Sequence, residues 1–231
     1  MGSRTCADEL GELNVSADSA RRDSCFSGYR FIKRAFDIAF SVCVLVVGFI
    51  PCVLLSVAVV VDTQGSPLYS QERIGRNGKR IRIYKFRSMV VDSDDVEKYF
   101  TPEQLAAWNR ERKVEDDPRT TKLGKVLRRT SLDEIPQFVN VLFGHLSVIG
   151  PRAITEHELR SHFSDEEKIR LLSVSPGITG LWQCGPRNSA TFESGDRQKI
   201  ELEYVDKASL CLDARIFFRT FKVMFLDRTG R

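Results

Sequence analysis

The longest apolar stretch of the chain runs from Ile38 to Val61 and contains no charged residue. At about 1.5 Å per residue, a helix of this length can cross roughly 30 Å of hydrocarbon. The pattern therefore predicts a membrane-embedded helix. Pro51 lies inside the stretch, where it removes one backbone hydrogen bond and clashes with the preceding turn. We expect the helix to be broken by a sharp bend at that position.

Basic residues flank this stretch on both sides. Arg30, Lys33 and Arg34 precede it, and seven Lys or Arg residues follow it between positions 73 and 87. Because basic residues prefer the cytoplasmic side of a membrane, both flanks are predicted to face the cytoplasm. A re-entrant helix over residues 31–62, which enters the membrane and returns, satisfies both observations. The alternative is a kinked helix that crosses once and places the following domain in the periplasm, away from any cytosolic nucleotide.

The segments on either side of the membrane helix differ in character. Residues 1–30 are polar, mixed in charge and without apolar periodicity, which predicts a disordered lead-in. On the other side, Asn77-Gly78 is a strong two-residue turn signal, and polar residues alternate with isoleucines from Lys79 to Tyr84. This pattern predicts a short β-hairpin.

Beyond the hairpin the patterns are mainly helical. Thr101-Pro102, followed by an acidic residue, predicts a helix through about Arg112. From Thr121 to Arg129, apolar residues recur at helical spacing opposite basic ones, which suits an amphipathic helix on an anionic membrane surface. An ordinary solvated helix is the alternative. Residues 216–226 are apolar nearly all round, which predicts a second interfacial helix or, alternatively, core packing at the chain end.

These elements predict an α+β fold that is mainly helical. The chain is expected to divide into a disordered segment (1–30), a re-entrant membrane helix (31–62) and a compact, membrane-associated cytoplasmic domain (63–231). A chain of 231 residues is long enough for one such domain with a real core.

Charge and cysteine content exclude some functions. Lys and Arg number 35 against 31 Asp and Glu, and the net charge of +4 is too small to identify a polyanionic partner. No recognised nucleic-acid-binding motif accompanies the basic stretch, so nucleic acid is not an expected partner. The six cysteines form no CxxC pair and the three histidines form no HExxH-type pattern, which indicates reduced thiols and no all-protein transition-metal site.

Two adjacent carboxylates, Asp133 and Glu134, follow Arg128 and Arg129 at a predicted helix start. Adjacent carboxylates repel each other, and a divalent cation relieves this repulsion while attracting phosphate. An aspartate can also attack phosphorus and so divide one difficult displacement into two easier ones. An Asp-Glu pair in a first helical turn is equally common helix-capping chemistry. The pair alone therefore leaves both interpretations open.

Basic side chains on predicted turns or strand ends favour the catalytic interpretation. Phosphoryl transfer chiefly requires positioning and neutralisation of negative charge, which arginine forks and Mg²⁺ provide. Each basic motif alone is also typical of a structural turn, but together they predict a diphosphate site. The candidate contacts are Lys85 and Arg87 in Lys85-Phe86-Arg87-Ser88-Met89, Arg152 after Gly150-Pro151, and Arg187 after Pro186.

Three ordered segments carry a specific resemblance: RIGRNGKRIRIYKFRSM, DDPRTTKLGKVLRRTSLDEIPQFVNVLFGHLSVIGPR and PGITGLWQ. They closely resemble the bacterial sugar transferases called monotopic phosphoglycosyl transferases, over a match that extends from about Lys33 to the C-terminus. The resemblance implies a re-entrant membrane helix, a UDP-sugar donor, undecaprenyl phosphate as acceptor, Mg²⁺ as cofactor and membrane lipids as partners. It also implies the bacterial inner membrane, with the catalytic domain on the cytoplasmic face.

The resemblance also assigns roles by position. Asp133 would attack the sugar-bearing phosphate and expel UMP, and Glu134 would help to hold the metal or handle the acceptor proton. Arg152 would contact the nucleotide end of the donor. The roles of Asp116 and Asp117 stay open: they could support the site, or they could simply form a turn. The other implied phosphate or sugar contacts are Lys85, Arg87 and Arg187.

The sugar and the assembly are less constrained. One membrane element together with PGITGLWQ resembles the enzymes that start exopolysaccharide repeat units, with galactose as the first expectation and glucose as the second. A homodimer is also considered. Two departures from the family pattern concern Ile50, where many members have serine before the membrane proline, and Pro186, which interrupts a Ser-Gly-Arg-Asn-like segment.

Two other functions remain alternatives to sugar-phosphate transfer. A non-covalent glycosyltransferase would use the same donor and release UDP, although no Asp-x-Asp-type metal motif supports it. A catalytically inactive membrane scaffold for polysaccharide assembly is the second alternative, and the intact Asp133-Glu134 pair argues against it.

Overall fold

Helices dominate the fold, which is α+β as the sequence predicted. The structure, a computed structural model, describes the backbone of residues 6–111, 114, 116–185 and 189–224, and the side chains of 28–109, 114, 116–185 and 189–224. In chain order the elements are α1 (Cys6–Thr63), β1 (Leu68–Ile74), β2 (Arg80–Phe86), α2 (Val96–Tyr99), α3 (Pro102–Glu111), α4 (Lys122–Thr130), α5 (Gln137–Leu142), β3 (Ser147–Ile149), α6 (Glu156–His162), α7 (Asp165–Leu171), β4 (Gly177–Thr179), α8 (Asp196–Lys207) and α9 (Leu210–Lys222).

The chain divides into two compact units, Met1–Phe36 and Asp37–Arg231. Helix α1 contributes residues to both units. It includes residues 6–30, which the sequence pattern assigned to a disordered lead-in. That assignment, and the predicted division at residues 31 and 63, stay predictions.

The predicted membrane segment forms part of α1. Residues Gly28–Thr63 are long and apolar enough to cross a membrane, and only 6% of the most apolar part is buried. Large apolar side chains such as Val46, Val47 and Leu54 are mostly exposed. Such a continuous apolar surface is suited to hydrocarbon. The chain is helical on both sides of Pro51, and the break and re-entrant path predicted there stay predictions.

The predicted β-hairpin is confirmed. Strands β1 and β2 pair antiparallel from Leu68 opposite Phe86 to Ile74 opposite Arg80. Between them, Asn77 has a φ of 57° and Gly78 a φ of 74°, the left-handed conformations that such turn residues favour. The side chains of alternate β2 residues are buried in the core. This alternation is what the pattern of isoleucines predicted.

A second strand pair, which the sequence analysis did not predict, joins β3 and β4 in parallel. A side chain at Gly177 would place its Cβ only 2.1 Å from the backbone nitrogen of Gly150. Glycine is therefore required for this close approach. The pair brings the Gly150-Pro151-Arg152 segment against the start of PGITGLWQ, two motifs that lie far apart in sequence.

Asp37 of α1 fixes the position of β3. Its carboxylate accepts hydrogen bonds from the Ser147 hydroxyl at 3.1 Å and from the Val148 N–H at 2.9 Å. Asp37 is buried, and a buried carboxylate is tolerated when donors of this kind satisfy it. Hydrogen bonds thus join α1, just before its apolar stretch begins at Ile38, to the strand that leads to Arg152.

Helices are also found where the other helical patterns predicted them. α9 begins earlier than the predicted range 216–226, and residues 112 and 225–226, where two of the predicted helices end, lie outside the described residues. α3 begins at Pro102 and α4 is capped by the Thr121 hydroxyl. In α9, Ile216 is buried whereas Phe218 is 71% exposed. The helix therefore packs one face on the core and leaves aromatic side chains on the other, and the interfacial location of α4 and α9 stays a prediction.

Candidate active site

Asp133 and Glu134 lie in one 3₁₀ turn, Leu132–Glu134, directly after α4 and ahead of α5. The turn is set up by Ser131, which has a φ of 56° and a ψ of 18°, a left-handed conformation that is uncommon for residues other than glycine. The Ser131 N–H closes α4 by donating to the Arg128 carbonyl at 3.2 Å. This sharp change of direction turns Asp133 inward, where it is 8% exposed.

Lys85 connects the β-hairpin to the acidic pair. Its Nζ donates to Glu134 Oε1 at 2.9 Å, and the two side chains are 21% and 22% exposed. A partly buried cation offsets the electrostatic repulsion between adjacent carboxylates. The structure therefore brings together three of the residues that the sequence singled out, while their roles in phosphate chemistry stay predictions.

Helix α4 is docked onto the end of β2 through Ser88. The Thr121 N–H donates to the Ser88 carbonyl at 3.2 Å, and Arg128 Nε donates to the Ser88 hydroxyl at 2.9 Å. A Cβ at Gly124 would lie 2.0 Å from the Ser88 carbonyl oxygen, so only glycine fits this contact. Since α4 ends just before Asp133, these contacts set the position of Asp133 relative to the strand that carries Lys85.

Electrostatics also link Arg128 to the acidic turn. Desolvation by neighbouring protein atoms lowers the pKa of Arg128, and the negative charge of Asp133 opposes this shift. The Arg128 guanidinium therefore lies within interaction range of the candidate nucleophile. Sequence analysis recorded Arg128 only as a basic neighbour of the pair, because its bond to Ser88 joins residues 40 positions apart.

Asp116 and Asp117 belong to the turn before α4. Asp117 Oδ1 accepts the Arg119 N–H at 3.0 Å, and Asp117 Oδ2 pairs with the Arg119 guanidinium at 2.6 Å. Both side chains are buried, and the guanidinium carbon lies 4.4 Å from the ring centre of Phe100. Asp116 is exposed and has a φ of 49°. Of the two interpretations left open by the sequence, these contacts support the turn.

Arg87 contacts the connection between α1 and β1. Its Nε donates to the Ser66 carbonyl at 2.9 Å, and its guanidinium carbon lies 5.9 Å from the ring centre of Tyr69. Its assignment as a phosphate or sugar contact stays a prediction. Arg187, another predicted contact, lies outside the described residues.

Arg152 lies in a separate network beside α8. Its backbone N–H donates to Glu201 Oε2 at 2.9 Å. Its guanidinium carbon lies 5.4 Å from the ring centre of Trp182, and the guanidinium carbon of Arg197 lies 4.3 Å from the same ring. The described contacts thus group the predicted residues in two sets, one around Asp133 and one around Arg152.

Buried charges surround Arg152. Arg73 pairs with Glu158 at 3.0 Å, and Arg197 lies 3.7 Å from the same carboxylate. Burial lowers the pKa values of Arg73 and Arg197 to about 10 and raises the pKa of Glu201 to about 6. The sequence analysis missed Glu158, Arg197 and Glu201, because no short motif joins residues on α6 and α8 to a strand of the hairpin. Only Arg73, the first residue of a family-like segment, had any signal.

The acidic pair fits Mg²⁺ in the chemistry of its donors. Within the described part of the chain, no group of three or more His, Cys, Asp or Glu side chains could hold a metal ion. Mg²⁺, however, is commonly bound by one or two carboxylates, with waters and substrate phosphates completing its octahedron. Asp133 and Glu134 supply this number of hard oxygen ligands.

Comparison with known proteins agrees with the resemblance in the sequence. Residues 28–227 match the family model described as bacterial sugar transferase. The chain belongs to the bacterial sugar transferase family. This match covers the apolar part of α1, the hairpin, the acidic turn and the β3–β4 pair.

Individual relatives are similar over most of this chain. A UDP-galactose-lipid carrier transferase of Erwinia amylovora is 37% identical over 225 residues, which cover 96% of this chain and 45% of the relative. A UDP-glucose:undecaprenyl-phosphate glucose-1-phosphate transferase of Escherichia coli is 36% identical over 228 residues, covering 96% and 46%. The exopolysaccharide production protein ExoY of Rhizobium meliloti is 40% identical over 201 residues, covering 85% and 86%. The chain thus spans about half the length of the first two relatives.

Proposed function

We propose that this protein is a phosphoglycosyl transferase, which moves hexose-1-phosphate from a UDP-sugar to undecaprenyl phosphate and releases UMP. The observation that carries this proposal is the acidic turn, where inward-facing Asp133 adjoins Glu134 and Glu134 is ion-paired to Lys85. In such an arrangement the positively charged side chain can bind a diphosphate, and a carboxylate beside it can attack the phosphorus. Relatives that are named undecaprenyl-phosphate transferases support the same reaction class.

In the first step, the Asp133 carboxylate attacks the sugar-bearing phosphorus of the donor. A bond forms between its oxygen and phosphorus, and the phosphorus–oxygen bond to the nucleotide phosphate breaks. UMP leaves with the electron pair of the broken bond, and an aspartyl phosphosugar remains on the protein. Lys85 offsets part of the negative charge near the reacting groups, and Arg152 binds the nucleotide end.

In the second step, an oxygen of undecaprenyl phosphate attacks the same phosphorus. The bond to Asp133 breaks, the free carboxylate is regenerated, and the product is a hexose linked to the lipid through a diphosphate. Glu134 accepts the acceptor proton where the lipid phosphate arrives protonated. Mg²⁺, when bound by Asp133 and Glu134, would neutralise charge on the diphosphate oxygens.

Galactose is the first proposed sugar and glucose the second. Relatives from Erwinia amylovora and Salmonella typhimurium are named for galactose, and one from Escherichia coli for glucose. Two relatives of similar length to this chain are named as exopolysaccharide production proteins. We therefore place the reaction at the first membrane step of exopolysaccharide synthesis, on the cytoplasmic face of the bacterial inner membrane.

The released nucleotide tests this function directly. Purified protein in nanodiscs would be incubated with Mg²⁺, undecaprenyl phosphate and either UDP-galactose or UDP-glucose, with a parallel reaction lacking the lipid. We expect repeated turnover to UMP only when the lipid is present, and faster release from the preferred donor. Without the lipid, at most about one equivalent of UMP per protein is expected, because the aspartyl phosphosugar then accumulates. Release of UDP would instead indicate a non-covalent glycosyltransferase. No nucleotide from either donor would favour an inactive scaffold.

The path of α1 through the membrane is a further part of the proposal. A re-entrant helix that turns at Pro51 keeps both ends of the apolar segment on the cytoplasmic side, where the UDP-sugar is available. Two observations support this path. The apolar side chains of Gly28–Thr63 are largely exposed, and basic residues lie on both sides of the apolar stretch.

Labelling of single cysteines distinguishes the two topologies. With the six native cysteines replaced by serine, Gly28→Cys and Asp62→Cys would each be tested with a membrane-impermeant maleimide in intact spheroplasts and in inverted vesicles. A re-entrant helix predicts that both positions react only in inverted vesicles. Opposite reactivity of the two positions would establish a single crossing and contradict the re-entrant path.

A further inference from the structure

Glu201 is a buried carboxylate with one specific bond to the predicted nucleotide-binding segment. It is 1% exposed, and its Oε2 accepts the backbone N–H of Arg152 at 2.9 Å. Its Oε1 has no hydrogen-bond partner within the part of the chain that the structure describes. Burying a carboxylate that is only partly satisfied costs stability. A side chain in this position therefore calls for an explanation beyond core packing.

The backbone around Arg152 is held from three directions. The Pro151 carbonyl accepts the N–H of Gly177 in β4 at 2.8 Å, and the Ile154 carbonyl accepts the N–H of Ile74 in β1 at 2.9 Å. The third contact, the bond to Glu201, comes from α8 and is the one of the three made by a side chain. Of these three hydrogen bonds, the one from Glu201 can therefore be removed by a single side-chain substitution.

The charge of Glu201 is also suited to its surroundings. The guanidinium groups of Arg152 and Arg197 both lie over the Trp182 ring, at 5.4 and 4.3 Å. The two cations repel each other, since the positive charge of Arg152 contributes to the lowered pKa of Arg197. Arg197 is further held against Phe192, with 3.9 Å between its guanidinium carbon and the ring centre. A carboxylate beside both cations offsets their repulsion and allows Arg152 to keep its place next to a fixed neighbour.

We propose that Glu201 is a positioning residue that holds the Arg152 backbone and guanidinium in place for the diphosphate of the nucleotide donor. This inference rests on the proposed function, in which Arg152 binds the nucleotide end. Glu201 itself lies behind the segment and is bonded to its backbone, so it acts through Arg152. Its removal therefore weakens donor binding and leaves the lipid acceptor unaffected.

A double-mutant cycle with Arg152 tests this role. Glu201→Ala removes the acceptor, and Glu201→Gln keeps an oxygen that can accept the Arg152 N–H. We expect Glu201→Ala to raise the KM for UDP-sugar about tenfold and Glu201→Gln to raise it about threefold. The KM for undecaprenyl phosphate should stay within about twofold of the wild-type value in both variants.

The decisive comparison is the same pair of changes in an Arg152→Ala background. If Glu201 acts through Arg152, neither change raises the donor KM further once Arg152 is absent. If each change raises the donor KM by the same factor in both backgrounds, Glu201 is only a structural residue and the proposal is wrong. Glu203→Gln is the matched control, because Glu203 is an exposed residue of the same helix that pairs with Lys207 at 2.8 Å. It should match the wild type.

Two further measurements keep the test decisive. Thermal unfolding is followed for every variant, and if Glu201→Ala does not fold, the cycle is read from the isosteric Glu201→Gln. If the wild-type protein releases no UMP, the proposed function fails, and the cycle is then run on the dissociation constant for UDP. Weaker UDP binding in Glu201→Gln that disappears in the Arg152→Ala background supports positioning; an equal effect in both backgrounds overturns it.

Discussion

Replacement of Asp133 by Asn is expected to reduce lipid-dependent UMP release by about 10⁴-fold or more. The asparagine amide is nearly the same size as the carboxylate but is a poor nucleophile towards phosphorus. The covalent aspartyl phosphosugar therefore cannot form, while the turn around residue 133 keeps its shape. The measurement is UMP release under saturating UDP-sugar and undecaprenyl phosphate, compared with wild-type protein at the same concentration.

A labelled donor separates loss of the nucleophile from other losses. With the phosphate next to the sugar radiolabelled and the lipid omitted, wild-type protein should retain label after denaturation, and Asp133→Asn should retain none. Glu134→Gln is the comparison variant, because it keeps the nucleophile while removing the charge that is paired to Lys85 and proposed to hold Mg²⁺. It should still retain label, although it turns over more slowly. Turnover by Asp133→Asn at the wild-type rate would exclude the covalent mechanism.

A single methyl group at Gly124 is expected to destabilise the protein by about 3 kcal/mol. The new Cβ would lie 2.0 Å from the Ser88 carbonyl oxygen, a backbone atom that cannot rotate away. For a chain of this size, the loss corresponds to a thermal midpoint lowered by roughly 6–12 °C. Because α4 must shift away from Ser88 and leads directly to Asp133, we also expect UMP release to fall more than the folded fraction does.

Gly48→Ala provides the matched control, since Gly48 is also a helical glycine. Its added Cβ would meet only the Cys52 sulfur, at 3.9 Å. Alanine is favoured over glycine within a helix by up to about 1 kcal/mol, so this variant should unfold at or above the wild-type temperature. Equal midpoints for Gly124→Ala and the wild type would show that α4 can move without cost, and that Ser88 does not determine the position of Asp133.

More residues of the set around Asp133 than of the set around Arg152 could be identified from the sequence. Asp133 and Glu134 are neighbours in the chain, and Lys85 lies in a family-like segment, so all three were identified before the fold was known. Their ion pair joins residues 49 positions apart, and nothing in the sequence determines which basic residue reaches Glu134. The contact between α4 and Ser88 determines that Lys85 does so, because it positions the acidic turn beside the strand that carries Lys85.

Of the network around Arg152, the sequence analysis had singled out only Arg152 itself and, as part of a basic family-like segment, Arg73. Glu158, Arg197 and Glu201 lie on helices whose other charged residues are largely exposed. In a sequence, a buried glutamate and a solvated glutamate look the same. Only the packing of α8 against the segment that follows β3 brings Glu201 to the Arg152 N–H and buries it.

The sequence by itself determined those features that local chemistry controls. The apolar run up to Val61, the Asn77-Gly78 turn and the start of α3 at Pro102 each follow from residues next to one another in the chain. Their physical basis is hydrophobic periodicity, backbone conformational preference and helix capping, which act over a few residues.

The tertiary structure alone decided the features that depend on distant contacts. β3 pairs with β4 through a close approach of Gly150 and Gly177. Asp117 forms an ion pair with Arg119, and Glu201 accepts the backbone N–H of Arg152. Each of these depends on which charged groups become buried together and which backbones touch. Burial changes the energy of a charge far more than sequence neighbours do, and burial is defined only once the whole chain has folded.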